Sequence, residues 1–453
     1  MSHVVNLPGN SASTPPTDSA EGLGAVMRNR NFLALWIAQA ITQTSAQMIW
    51  FVMIIIVEEQ TQSSAHLSLA LLTTIVPSVA FGLLAGVVVD RVDKKAVLVV
   101  TNLLRAISVL GYLLYSTSLY VVYVVNLIFV SISQFFAPAE VSMIPALVPR
   151  RQLITATSLF NLTWTASQLV GIVLLAPWLV KFFGATVVFL MSAGIYAAAT
   201  VLVAMLPASA PPERTLASLK RETLVHDVRG ELHEAWSFII SDRQTWWAML
   251  TYTVGNALML VIVMLTPRYM VSILGVKPED AVFVFAPAGV GILAITAFLT
   301  VLSNRFGKER LVDGGIICTT AALFCIAGLQ RAENLLLPGV LSALGWLVHL
   351  PFRQGLVPPL MILAAVLGVG YALLTVPAQA ILLERAPATT RGRIFAVLLM
   401  LVNVAAVIPL VVLGNLADRI GVNSILALLA ALVAVLAIVT IRDQRQRATR
   451  LEG

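Results

Sequence analysis

The chain has 453 residues, of which 59% are hydrophobic and only 11% charged, with a net charge of +7. Its mean hydropathy is +0.92. An ordinary globular domain carries roughly 25% charged residues, so a soluble domain with a solvated surface is excluded. Repeated apolar runs of about 18 residues or more read as membrane-crossing helices, and most of this chain consists of such runs. The fold class is an all-α membrane protein.

In chain order, residues 1–27 are polar, rich in Ser, Pro and Gly, and carry no apolar signal-type core. They read as a disordered cytoplasmic tail and not as a secretory signal. Six apolar spans follow at 32–57, 68–89, 96–117, 120–142, 153–180 and 185–206, giving a first six-helix bundle over 28–207. A polar stretch at 208–243 comes next. Its apolar residues recur at three to five positions from Leu216 to Ile239, which predicts a cytoplasmic linker with an interfacial amphipathic helix. Six further spans at 245–271, 281–302, 311–329, 359–381, 393–416 and 423–441 give a second bundle over 244–442. Between the ninth and tenth spans, an insert at 330–358 has an apolar core too short to cross a bilayer and is read as an external interfacial or re-entrant segment. A cytoplasmic tail at 443–453 closes the chain. Cys318 and Cys325 lie seven apart on one apolar helix, a spacing that is no metal pattern, and read as two packed thiols.

The positive charges fix the orientation. With the N-terminus inside, 22 of the 29 Lys and Arg fall on the cytoplasmic side, 6 fall outside, and Arg105 lies within a span. Both termini are therefore expected in the cytoplasm, with the chain multi-pass in the cell membrane. This asymmetry accounts for the basic net charge without any nucleic-acid partner.

The two halves repeat each other. "APAEVSMIPALVPRR" ends the fourth span and "VPAQAILLERAPATTRGR" the tenth, while "DRVDKK" follows the second span and "NRFGKER" the eighth. A parallel repeat of six spans is the plan of a transporter built from two related bundles.

On these residues the chain resembles a known family. "GVVVDRVDKKAVL" is similar to the loop-two motif of the major facilitator superfamily, with Gly86, Asp90, Arg91, Lys94 and Lys95 matching and Asp93 standing where many members have Gly. "FFAPAEVSMIPALVPRRQLITATSLFN" and "NRNFLALWIAQAITQTSAQM" resemble the branch that contains enterobactin exporters and macrolide-efflux proteins. The resemblance covers about residues 28–442 and implies twelve helices in two six-helix bundles, a monomer, and alternating access. It implies that Asp90 faces the eleventh span and that Arg91 joins a charge network holding the cytoplasmic gate shut. The second copy keeps Arg305, Gly307, Lys308 and Arg310, but has Asn304 for the Asp and Thr300 for the Gly. Two departures weaken the link to proton antiport. No Arg occurs early in the fourth span, and the fifth keeps Gly171 and Pro177 without a Gly-Gly ending.

Ionisable groups inside spans are functional by default. Arg105 lies ten residues beyond Lys95 and Glu140 ten before Arg150, so each is about 15 Å from its cytoplasmic end. They are expected to approach or pair, and Glu140 to carry protons, unless the two form a fixed structural pair. Gln39, Gln43 and Gln47 share one face of the first span. The resemblance implies that the first, fourth, seventh and tenth spans line a central cavity. That makes Asn126, Gln134, Tyr252, Asn256 and Tyr371 candidates, while Asn161, Thr165 and Gln168 form a polar face on the fifth span. Trp50, Trp164 and Met259 offer stacking and soft apolar contact. Helix–helix glue and ligand contact are alternative roles for each polar residue.

The implied function is secondary active export of amphipathic small molecules (drug-, macrolide- or siderophore-like), coupled to protons. Uptake or flipping of a metabolite or lysolipid by the same fold is the alternative. A membrane sensor or enzyme is the reading from another class. No P-loop for ATP occurs, the five His are scattered, and neither a cofactor nor a metal is expected.

Overall fold

A computed structural model describes residues 23–114, 118–207, 236–237, 239–240, 242–277, 281–335, 356–385 and 391–451. The amphipathic linker, the core of the external insert and most of the N-terminal tail lie outside the described residues.

Helices occupy every expected span. They are α1 (Arg30–Thr61), α2 (Ser64–Val89), α3 (Lys94–Gly111), α4 (Leu119–Leu147), α5 (153–183), α6 (185–204), α7 (Arg243–Ser272), α8 (Ala281–Phe306), α9 (Lys308–Leu335), α10 (Val357–Arg385), α11 (Arg391–Ile420) and α12 (Val422–Leu451). Among the described residues, ten helical stretches are long and apolar enough to cross a membrane. One of them, Arg150–Ala204, holds two spans folded at Gly184, whose φ of 79° makes the corner. In α8 the described apolar stretch is the shorter Ala286–Leu299.

The helices start where side chains can satisfy their free N–H groups. Asn29 caps α1, Ser63 caps α2, Ser118 caps α4 and Asp242 caps α7. Asp93, the residue that departs from the family motif, is the cap of α3 and accepts from the Lys95 N–H at 3.0 Å. The turn between α8 and α9 needs Gly307, which sits at φ 82°.

Helix pairing repeats between the halves. In the first, α2 packs on α4, α3 on α4 and α6, and α1 on α5 and α6; in the second, α8 packs on α10, α9 on α10 and α12, and α7 on α11 and α12. The outer faces are apolar and exposed, as lipid requires. On α3, Val100, Leu103, Ile107 and Leu110 face outward while Thr101, Asn102 and Arg105 are buried. The thiols are only partly packed: Cys318 is half-buried and donates to the Val366 carbonyl, whereas Cys325 is exposed.

The second bundle is drawn tight by interlocking glycines. A Cβ at Gly368 would lie 2.0 Å from the Ala288 carbonyl oxygen, and one at Gly291 would lie 2.3 Å from that of Ala365. Small residues at such crossings let backbones approach. Gly368→Val should therefore destabilise the bundle by on the order of 1–3 kcal/mol, read as a lower Tm of the purified protein in detergent. Gly328→Ala, where an added Cβ meets nothing within 4 Å, should leave Tm unchanged or slightly raised.

Candidate functional site

The inner face of the first bundle encloses a cavity of about 470 Å³. Gln43 and Gln47 of α1, Asn126, Ser133 and Gln134 of α4, Gln168 of α5 and Arg105 of α3 supply its polar wall, and Trp50, Phe129, Phe136 and Trp164 its aromatic wall. A second cavity of about 390 Å³ adjoins it and shares Trp50, Gln168 and Ile172. Both bundles line this one, with Ile54 from α1, Met259 and Ile262 from α7, Gly289 from α8 and Leu367 from α10. Its wall is almost wholly apolar.

A local defect in α5 shapes both cavities. Pro177 has no N–H to give the Val173 carbonyl. The helix widens into a π-helical stretch, Leu169–Leu175, and the Ala176 N–H bonds instead to the Gly171 carbonyl. Gly171 lies against α1, where a Cβ would come within 2.7 Å of both Gln47 and the Thr44 carbonyl oxygen. The widened turn presents Gln168 and Ile172 to both cavities. Such π turns recur at functional sites. Gly171 and Pro177 were the visible signal in the sequence, but not the geometry they impose.

Arg105 is buried. Its Nε donates to the Ser133 hydroxyl at 2.9 Å and its Nη2 to the Ser133 carbonyl at 3.4 Å. The guanidinium lies 4.3 Å from the Phe136 ring centroid and 5.6 Å from that of Tyr196. Glu140 is buried nearby, with Oε1 lacking any hydrogen-bond partner. Of the two outcomes expected, approach and pairing, the structure shows approach: the two charges influence each other, but among the described residues no ion pair within 4.0 Å joins them. Ser133 and the aromatic rings take the place that the carboxylate was expected to fill.

Other candidates divide between cavity and packing. Gln43, Gln47, Asn126, Gln134 and Gln168 line the polar cavity. Asn126 is also glue, accepting from Tyr112 at 2.8 Å and donating to Thr73 at 2.7 Å. Gln39 is buried against α5 and donates to the Phe160 carbonyl, so it faces a helix and not the cavity. Asn161 is exposed two turns along α5 from Gln168, outside both cavities. Tyr252, Asn256 and Tyr371 bind one another: the Tyr371 hydroxyl donates to Asn256, whose amide donates to the Tyr252 carbonyl. They tie α7 to α10 and line neither cavity.

The two bundles meet most firmly at the end opposite Asp90. There Asp418 of α11 accepts from the Ser63 hydroxyl at 2.6 Å, the Ser64 N–H at 2.7 Å and the Ala65 N–H at 3.1 Å. A carboxylate from one bundle thus caps a helix of the other, with the helix dipole in its favour. Gly414, one turn earlier, lets α11 approach Ser64 and Ser68. Beside them Glu58 of α1 is fully buried, with neither carboxylate oxygen hydrogen-bonded, and Arg268 of α7 lies 3.7 Å away. Sequence reasoning passed over Glu58 and Asp418, because span ends ordinarily carry charges.

At the Asp90 end, the motif residues bond within their own bundle. Lys95 donates to the Leu206 carbonyl at 2.5 Å and Arg91 to that of Val87 at 2.8 Å. Asp90 is exposed and ends α2, and Lys94 begins α3. A Cβ at Gly86 would meet nothing within 4 Å, so no helix packs closely on it in this conformation. In the second copy, Arg305 lies over the Phe306 ring, Lys308 pairs with Glu384, and Arg310 is exposed. Asp242 joins Arg385 at 2.6 Å, and Gln244 bridges Arg385 to Glu309. Partial burial pushes the Asp242 carboxyl up, but the Thr245 hydroxyl, the Arg385 guanidinium and the Thr245 N–H together hold it below the usual aspartate range. Among the described residues no group of His, Cys, Asp and Glu could hold a metal.

A family model described as Major Facilitator Superfamily matches residues 35–340. Macrolide efflux protein A of Streptococcus pyogenes is 24% identical over 400 residues, covering 86% of this chain and 90% of that protein. An uncharacterized MFS-type transporter of Bacillus subtilis, YfiS, is 22% identical over 368 residues, 80% of each chain. Among solved structures, the nucleoside transporter NupG matches with TM-score 0.67 and 14% identity over 91% of this chain and 98% of its own. The POT family transporter PepTSo matches with TM-score 0.65 and 14% identity over 93% and 99%. At these identities the structural likeness shows the fold.

The Asp242 cluster makes a pH-dependent contribution. A carboxyl held low in the folded state adds stability above its unfolded pKa, about 3.9, and loses it as pH falls through the lower folded value. Asp242→Asn keeps a cap but removes the charge. It should lower Tm at neutral pH, and the gap to wild type should close in melts below about pH 4.

Proposed function

Because the chain belongs to the Major Facilitator Superfamily, we propose that this multi-pass membrane transporter exports amphipathic small molecules by alternating access, with protons moving the other way. One observation carries the reading: a half-polar, half-apolar pair of cavities lies beneath an end closed by contacts between the bundles. The macrolide-efflux relative supports export.

The charge asymmetry supports a cell-membrane protein with both termini cytoplasmic. The closed end is then the outer one, and the cavities receive substrate from the cytoplasm. Opening outward requires Asp418 to leave the start of α2 and Arg268 to part from Glu58. Asp90 then faces α11 of the second bundle and Arg91 joins a charge network at that end, with Lys94, Lys95, Arg305, Lys308 and Arg310 flanking it and Gly307 turning the second copy, and the cytoplasmic gate shuts. Charge pairs at a membrane surface break and re-form at modest cost, which suits a gate. Glu140 is the proposed proton carrier, since its Oε1 is buried without a partner and Arg105 lies near enough to respond to its charge. The protein acts as a monomer and needs no cofactor.

Inverted membrane vesicles with an acid interior test the function. Adding hydrophobic cations, macrolides, catecholates or lysolipids while a dye follows the gradient should release protons only with a substrate. Asp90→Asn should abolish the response, and Glu140→Gln should uncouple it. Proton loss unchanged by Glu140→Gln would remove that residue from coupling.

The outer closure is tested separately. Glu58→Gln removes the buried charge facing Arg268. Spin labels at the outer ends of α2 and α11 should then show a larger outward-open population, and Asp418→Asn should shift it further. Unchanged distances in both variants would show that packing at Gly414, and not charge, holds this end.

A further inference from the structure

We propose that the polar cavity binds the acidic head of a single-chain amphiphile whose apolar body lies in the adjoining cavity. This rests on the transporter reading above and narrows its substrate.

Arg105 is 7% exposed, and among the described residues it is the one formally charged side chain lining either cavity. Ser133 occupies Nε and Nη2, and no protein acceptor among the described residues takes Nη1. The Phe136 ring covers one face of the guanidinium, with its centroid 4.3 Å away. Stacking blocks that face and Ser133 takes the Nε–Nη2 edge, which leaves Nη1 and the second N–H of Nη2 as the edge for a carboxylate or phosphate. The titratable groups around it are few. Glu140 interacts with it electrostatically without closing an ion pair, and Tyr196 is engaged with the Thr42 carbonyl. An arginine this deep in a membrane is costly without a counter-charge, and an anion entering the cavity supplies one. Gln43, Gln47 and Gln134 line the same space and can hydrogen-bond the rest of a polar head.

The second cavity dictates the body. Beyond Trp50, Gln168 and Thr266, its wall is made of aliphatic and aromatic side chains and two glycines. The shared Trp50, Gln168 and Ile172 make the two spaces continuous, so head and tail can belong to one molecule. A cationic head would meet Arg105 in a low dielectric, where like charges repel strongly. The acid could be a lysophospholipid bearing a phosphate or a soluble fatty or aromatic acid. Both share the chemistry of one anion on an apolar chain.

The test uses the full chain in nanodiscs of zwitterionic lipid, with empty discs subtracted. Bromine-labelled dodecanoate, dodecyl phosphate, dodecyltrimethylammonium and dodecanol quench tryptophan on contact, and Trp50 and Trp164 face the cavity. Both acids should bind at least about tenfold more tightly than the cation and the alcohol. Arg105→Gln should erase that preference, and Arg105→Lys should keep part of it. Should Arg105→Gln fail to fold, Gly289→Leu reports instead: filling the apolar cavity should weaken dodecanoate and leave butyrate unaffected. Stronger competition by an acylglycerol phosphate than by free dodecanoate would assign a lipid source, and the reverse a soluble acid. Equal binding of all four heads, or an Arg105→Gln affinity within about twofold of wild type, overturns the proposal. If acids bind and no compound crosses the vesicle membrane, the export reading fails and the site stands. If neutral or cationic compounds cross and acids do not bind, the site fails and export stands.

Discussion

A bilayer offers no hydrogen bonds, so every polar atom inside it needs a partner from the protein or from a wet cavity. That constraint arranges the first bundle. Thr and Ser hydroxyls bond back to carbonyls of their own helices, as Thr42, Thr101, Ser108 and Ser131 do. Amides turn inward, where Asn126 finds Tyr112 and Thr73, and Gln134 finds Ser78. Part of what these contacts leave over faces the cavity, as Gln43, Gln47 and Gln168 do, while Asn102 and Ser192 stay buried without a hydrogen-bond partner.

The same constraint makes the closed end a poised contact. Asp418 is well served, with a hydroxyl and two backbone N–H groups of α2. Glu58 is badly served: it is fully buried, lacks hydrogen bonds, and has Arg268 at 3.7 Å. A buried charge with incomplete pairing contributes little net stability. The end is therefore joined by one well-made contact, at Asp418, and one weaker one, between Glu58 and Arg268. A transporter must visit both states, and a closure built from two strong contacts would favour one of them too heavily.

Hydropathy and charge made the fold legible. Most span limits agree with the helices to within a few residues, because a membrane helix announces itself by length and composition alone, but α12 continues to Leu451, through residues expected to be a tail. The repeat was visible in the twin prolines, Pro138 and Pro377, which both lie within helices. The site was legible only by face. Gln43 and Gln47 reach the cavity, yet Gln39, on the same stripe, is packed against α5. Periodicity gives direction around a helix, but which neighbour lies at each depth is a tertiary fact. Tyr252, Asn256 and Tyr371 show the same limit, since three polar residues on α7 and α10 are as able to bind each other as to bind a ligand. The π turn in α5 was hidden because it follows from one missing N–H and not from any pattern of hydropathy.

Arg105 and Glu140 show how depth and partnership separate. Counting residues from the cytoplasmic ends put both at one level, and the structure buries both within reach of each other's field. It then gives the arginine to Ser133 and Phe136, and leaves a carboxylate oxygen unpartnered. Two opposite charges that do not close on each other keep both groups available. A closed pair would be a fixed strut, neutral toward substrate and slow to exchange a proton. On the proposed reading, an open one would let the cation answer an anion in the cavity while the carboxyl changed its protonation, so that binding at one group would be felt at the other through their mutual field. Coupling of this kind needs no long path through the protein, only two buried charges kept apart by a serine and a ring.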